Sequence, residues 1–182
     1  MHTEEKISSK QIFKGRVIDV YDDRVRLEDG SEAGREWVSH KGGVCVLALD
    51  DDNCIYLVRQ FRYPYGKELL ELPAGKRDSE EAPIDCAKRE LEEEVGITAE
   101  DWTFLGEMYP SPGYTAEIIY LYLARDLKET HRHPDEDEFL DIERIPYAMA
   151  LSSVMENKIK DAKTCVAILR LQESMRKIGS EQ

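Results

Sequence analysis

Apolar positions along the chain change rhythm several times, and each change marks an element. From Ile12 to Val38 they fall on alternate or paired positions, Val17-Ile18-Val20, then Val25 and Leu27, then Trp37-Val38, broken by an Asp29-Gly30 turn signal. This predicts two or three strands of a hairpin or meander. Lys41-Gly42-Gly43 interrupts the pattern. The apolar runs Val44 to Leu49 and Ile55 to Val58, separated by the polar stretch Asp50 to Asn53, predict a hairpin inside a sheet. Arg59-Gln60-Phe61-Arg62-Tyr63 then leads into a Pro64-Tyr65-Gly66 loop, and Leu69 to Leu72 resumes a strand that ends at Pro73-Ala74-Gly75.

A helix is predicted to start between Glu80 and Pro83, where proline's missing donor would have no partner anyway, with Ile84, Leu91 and Val95 on its apolar face. Trp102 to Tyr109 reads as a strand, Ser111-Pro112-Gly113-Tyr114 as a turn, and Ile118 to Ala124 as a strand rich in β-branched and aromatic residues. Glu129 to Glu138 is polar throughout and reads as a loop. Phe139 to Ile145 is a short strand, Pro146 to about Lys158 a helix, and Thr164 to Lys177 a last helix spaced by Val166, Ile168-Leu169 and Leu171. Strands alternating with helices give a mixed α/β protein.

Length and charge narrow this picture. The chain has 182 residues, enough for one good core and a small extension. The expected division is an antiparallel β segment over 1–40 and a main domain over 41–182. So small an antiparallel piece buries little alone and must lean on the main domain or on a second chain, which makes a homodimer the expected assembly. With 25 basic and 38 acidic side chains the net charge is −13, which excludes a broad phosphate-backbone binder, so no nucleic acid partner is expected. An anionic substrate would need metal ions or a local arginine cluster. Cys45, Cys54, Cys86 and Cys165 lack the spacing of a disulfide framework or zinc site, and no apolar run suggests a leader or a membrane span, so the expected location is cytoplasmic.

Candidate chemistry concentrates between Glu71 and Ile97. On the predicted helix, Glu90, Glu93 and Glu94 are spaced i, i+3, i+4 and project from one face, apart from Leu91 and Val95. Adjacent like charges repel unless cations neutralise them, and hard oxygen donors at this density suit Mg²⁺ or Mn²⁺. Gly75, Glu81, Arg89-Glu90-Leu91, Glu93-Glu94 and Gly96-Ile97 together resemble the Nudix box, with every specified position filled. The resemblance implies the Nudix α/β/α sandwich with a mixed sheet over about residues 41 to 178. It also implies Glu90, Glu93, Glu94 and the Ala74 carbonyl as metal ligands, Glu93 and Glu94 in catalysis, and Gly75 as the point where the loop approaches metal and substrate. Glu81 and Arg89 match structural positions, Arg89 orienting neighbouring carboxylates.

Other stretches resemble the ADP-ribose pyrophosphatases of that family: Pro112 within SPGYTAE, the run RQFRYPYGKELLELPAG, and the acidic loop before the closing helices. The resemblance implies a nucleotide-sugar substrate, hydrolysed at its pyrophosphate to AMP and ribose 5-phosphate. It implies that Glu136 or Glu138 activates or helps position the attacking water, without separating the two. Arg59 and Arg62 are candidates to clamp the diphosphate, since arginine's forked donors fit phosphate; Arg35 and Glu117 are candidates to recognise adenine or ribose. Tyr63, Tyr65 and Tyr114 could stack on a base, but each by itself reads more readily as a packing residue, and His40, His131 and His133 read as surface residues rather than ligands. Competing readings are the same chemistry on another nucleoside diphosphate sugar or a nucleoside triphosphate, and a non-catalytic ADP-ribose sensor. The resemblance also implies pairing through such an N-terminal segment, with the site completed across subunits, which again points to a homodimer.

Overall fold

The computed structural model describes residues 2–78, 80–133 and 139–180, with side chains of the last helix through residue 177. The chain divides into two compact units, Met1–Gly42 with Tyr109–Ile118, and Gly43–Met108 with Ile119–Gln182.

In the first unit β1 (Glu5–Lys14), β2 (Ile18–Arg26) and β3 (Glu32–His40) form an antiparallel meander in the order β1-β2-β3. Tyr21 lies opposite Trp37 and stacks on it at 4.8 Å between ring centres. Asp23, buried within the sheet, accepts a hydrogen bond from Trp37 Nε1 at 3.0 Å and another from the Ser9 hydroxyl. Residues 109–118 join this unit through Val38, whose N–H donates to Tyr114 O at 2.7 Å and whose carbonyl accepts from Ala116 N at 2.9 Å. The first strand starts well before the expected Ile12, because every residue of β1 is exposed and its sequence carries little apolar rhythm. His40, expected at the surface, is instead mostly covered, with Gly42 N donating to its Nδ1 at 3.0 Å.

The second unit begins with β4 (Gly43–Ala48), β5 (Cys54–Arg62), a 3₁₀ turn at Tyr63–Tyr65, β6 (Lys67–Glu71) and β7 (Ala74–Lys76). Helix α1 (Pro83–Val95) follows, then β8 (Ile97–Met108), β9 (Ile119–Glu129), β10 (Leu140–Pro146), α2 (Tyr147–Met155) and α3 (Ala162–Ser180). Four strands form a mixed sheet in the order β7-β4-β9-β8, in which β4 and β9 run parallel with Val44 opposite Tyr120 and Ala48 opposite Ala124. A second, antiparallel sheet has the order β10-β5-β6.

Both faces of β4 are covered, so its residues are apolar without interruption. Val44, Val46 and Ala48 share one core with Cys86, Ala87, Leu91 and Val95 of α1. Cys45, Leu47 and Leu49 share the other with Tyr147 and Ala150 of α2 and Ala167, Ile168 and Leu171 of α3. Helices on both faces of a mixed sheet make the expected α/β/α sandwich. Fully burying each of the leucines contributes about 1.5–3 kcal/mol.

Helix α1 has no side-chain cap at its start, but Pro83 fits the first turn and Asp85 faces the positive end of the helix dipole. It ends at Gly96, whose φ of 73° is left-handed and whose N–H closes on Glu92 O at 2.9 Å.

Candidate active site

Two of the glutamates of α1 are withdrawn from solvent while Glu92 and Glu93 stay partly exposed. Glu90 and Glu94 are buried, at 7% and 2% exposure, against the loop that enters β7. Glu94 Oε2 accepts from Ala74 N at 2.9 Å. At Gly75 the approach is closer still, for a Cβ there would lie 1.8 Å from Glu90 Cδ and 1.9 Å from its Oε1. Only glycine leaves room for that carboxylate.

Arg89 offsets part of this concentration of charge. Its Nη1 donates to Glu90 Oε1 and to Glu93 Oε2, each at 2.8 Å, while Nε and Nη2 hold the two oxygens of Glu81 at 2.9 and 3.0 Å. Nη2 also reaches Lys76 O at 3.2 Å, tying α1 to the end of β7. The hydrogen bonds from Arg89 outweigh the opposing effect of burial and bring the Glu81 carboxyl down to about 2. The same contacts, led by Glu81, push the Arg89 guanidinium up, so it stays charged. Burial pushes the Cys86 thiol up.

A second charged group lies beneath the loop. Arg62 forks onto Glu71, Nε to Oε1 at 2.8 Å and Nη2 to Oε2 at 2.7 Å, and Lys163 bonds the same carboxylate from α3. Burial opposes ionisation of Glu71, yet the bonds from Arg62 and the charge of Lys163 prevail and hold it down to about 2. Glu71, Asp161, Lys163 and Thr164 are not among the site residues expected from the sequence. A lone acid inside the apolar strand Leu69 to Leu72 was the available signal, and so was Asp161 placed three residues before a threonine at a helix start.

The remaining candidates are dispersed. Arg59 pairs with Glu143 of β10, diagonal to its register partner Asp141, and not with the glutamate helix. Arg35, Pro112 and Glu117 belong to the first unit. There Arg35 pairs with Glu4, Pro112 lies in the turn closed by Tyr114 N to Ser111 O at 3.2 Å, and Glu117 Oε1 stands 3.3 Å from His40 Nδ1. The chain after β9 returns to the end of α1, with Thr130 N donating to Gly96 O at 2.8 Å and His133 N to Glu93 O at 3.2 Å. Glu136 and Glu138 lie outside the described residues.

Among the described residues no three carboxylate, imidazole or thiol side chains stand together closely enough to cage a metal by themselves. Arg89 is placed between two of the glutamates. The donor chemistry nonetheless fits a hard divalent cation: two buried carboxylates one helical turn apart, a third beside them, and a glycine backbone with no side chain to cover them. Glu90, Glu93, Glu94 and the Ala74 backbone would hold such a cation. Carboxylate oxygens on a rigid helix that could hold such a cation suit phosphate ester or anhydride chemistry.

The chain belongs to the Nudix family. The family description "NUDIX domain" matches residues 39–165, and "Nucleoside diphosphate sugar hydrolase N-terminal domain" matches residues 4–38. An ADP-ribose pyrophosphatase from Bacillus subtilis is 43% identical over 171 residues, covering 93% of this chain and 92% of the relative. A methanol dehydrogenase activator from Bacillus methanolicus is 42% identical over 177 residues, covering 95% and 96%. A crystal structure of an ADP compounds hydrolase superposes with a TM-score of 0.85 at 23% identity, covering 97% of this chain and 96% of that one, and so shares the fold. Members of the family are hydrolases that generally work with a divalent cation.

Proposed function

We propose that the chain hydrolyses the pyrophosphate of ADP-ribose in a Mg²⁺-dependent reaction, releasing AMP and ribose 5-phosphate. The observation that carries this reading is the pair of buried carboxylates, Glu90 and Glu94, pressed on the Ala74-Gly75 backbone. Full-length similarity to an ADP-ribose pyrophosphatase supports the substrate. The bound metal would polarise phosphoryl oxygens and acidify the attacking water. Glu90, Glu93, Glu94 and the Ala74 carbonyl would hold it, Glu93 and Glu94 take part in catalysis, and Glu136 or Glu138 activates or helps position the attacking water. Arg62, oriented by Glu71, contacts the diphosphate. Arg35, Pro112 and Glu117 contribute to recognising the nucleoside.

Product analysis with ADP-ribose, other nucleoside diphosphate sugars and nucleoside triphosphates, with and without Mg²⁺, tests the reading. Glu94→Gln and Glu93→Gln should each lose about 10²- to 10⁴-fold in rate. Near wild-type turnover in both would sink the mechanism. The Bacillus methanolicus relative favours a second reading, in which the chain raises the activity of a partner dehydrogenase. Adding the protein and its Glu94→Gln variant to methanol dehydrogenase separates activation that needs hydrolysis from activation by binding.

The proposed assembly is a cytoplasmic homodimer formed through residues 1–40. Exposed Ile7, Ile12, Phe13, Val17 and Ile18 on the first unit support the pairing, and four free cysteines suit a reducing compartment. Removing residues 1–38 should weaken both association, read by light scattering, and turnover. A fully active monomer of the whole chain would contradict the dimer.

A further inference from the structure

The start of α3 is bonded to the strand that feeds the Gly75 loop. Asp161 Oδ2 accepts from Thr164 N at 3.0 Å and from Thr164 Oγ1 at 2.6 Å, and its Oδ1 accepts from Lys163 Nζ at 3.0 Å. Thr164 Oγ1 in turn accepts from Leu72 N at 2.8 Å, while Lys163 bonds Glu71. Leu72 and Thr164 are both 0% exposed and Glu71 is 1% exposed. Farther along, Pro73 O accepts from Val46 N at 2.9 Å and Ala74 N donates to Glu94 Oε2 at 2.9 Å. Every residue from Glu71 to Ala74 is therefore held from another element, Glu71 and Leu72 from α3, Pro73 from β4 and Ala74 from α1.

A helix cap at Asp161 needs only the backbone N–H of Thr164. The hydroxyl does more, because it donates to Asp161 and accepts from Leu72 at once, joining helix to strand. We infer that Thr164, seconded by Lys163, is a positioning residue for hydrolysis: it sets where the Ala74-Gly75 backbone meets Glu90 and Glu94, without touching substrate. The inference rests on the metal-assisted reading of the site above. It differs from a mere folding staple in one respect, since it ties metal affinity and turnover to a hydroxyl rather than to side-chain shape.

Thr164→Val keeps the shape and removes both hydroxyl bonds; Thr164→Ser restores them. Mn²⁺ binding without substrate, followed by electron paramagnetic resonance, is measured beside kcat and KM for ADP-ribose. Thr164→Val should lower kcat and Mn²⁺ affinity about 10- to 100-fold, the scale for groups that orient metal ligands. KM should stay within about twofold, circular dichroism should match the wild type, and Thr164→Ser should recover both losses. Wild-type kcat and Mn²⁺ affinity in Thr164→Val would overturn the inference, as would equal losses in the valine and serine variants. If Thr164→Val does not fold, Thr164→Ala decides, because it also removes both hydroxyl bonds and leaves space for a water beside Leu72 N: reduced kcat and Mn²⁺ affinity, recovered in Thr164→Ser, support positioning, and wild-type values overturn it. If the wild-type protein ignores ADP-ribose, the substrate reading fails by itself, and Mn²⁺ binding with serine rescue still tests Thr164.

Discussion

Gly75→Ala should cost activity far more than stability. The added methyl would sit 1.8 to 2.1 Å from the three atoms of the Glu90 carboxyl group. Ordinary contact needs a further displacement of about 1.5 Å. Glu90 has little room to supply it, being buried and bonded through Oε1 to Arg89, and the loop is held at Ala74 by Glu94. Overpacking of this kind costs about 1–3 kcal/mol. For a chain of this size that lowers the melting midpoint by about 2 to 12 °C. A reacting group misplaced by about 1 Å loses about 10²-fold in rate. Release of AMP from ADP-ribose, measured beside thermal melting, tests both magnitudes. Gly34→Ala is the companion variant, since nothing lies within 4 Å of its added methyl, and it should match the wild type in both assays. A folded Gly75→Ala protein with wild-type turnover would refute the close approach of Glu90 as a functional requirement.

Acid stability should depend on Glu71. Its folded value of about 2 lies below the ordinary 4.5, so the fold favours the ionised form. That preference is worth about 3 kcal/mol, complete above about pH 4.5 and lost as pH falls toward 2. Urea unfolding of Glu71→Gln at pH 7 and pH 3 should show lower stability at pH 7 and a flatter acid limb; an unchanged pH dependence would contradict this. Arg89→Lys should lose about 10- to 100-fold in turnover, because one ammonium cannot replace a fork shared by Glu81, Glu90 and Glu93. Steady-state kinetics at saturating Mg²⁺ checks it, and full activity would remove Arg89 from the support of the site.

What could be read in the sequence depended on how local the physics was. Helix α1 was legible because its start, its apolar face and its glycine end lie within one short stretch, Pro83 to Gly96. Strand β1 was not, since every one of its residues is exposed, and the three residues of β7 are too few to show a period. The glutamates of α1 were legible as a set, but their burial was not, because it comes from a loop fifteen or more positions earlier in the chain. Arg59 and Arg62 illustrate the limit from the other side. Their charge and forked shape suggest phosphate, but not the carboxylates that hold them, Glu143 and Glu71, which lie on neighbouring strands away from their register partners Asp141 and Lys67.

Strand β4 has a consequence for how this sequence can change. Its side chains belong alternately to two cores, the valines and Ala48 against α1, Cys45 and Leu47 against α2 and α3. Deleting one residue between Val44 and Ala48 would exchange the two sets and hand each core volumes cut for the other. The Asp50 to Asn53 turn that follows has no such double duty and sits at the surface. Length variation among sequences of this fold should therefore collect in that turn, and the strand before it should keep its count even where its residues differ.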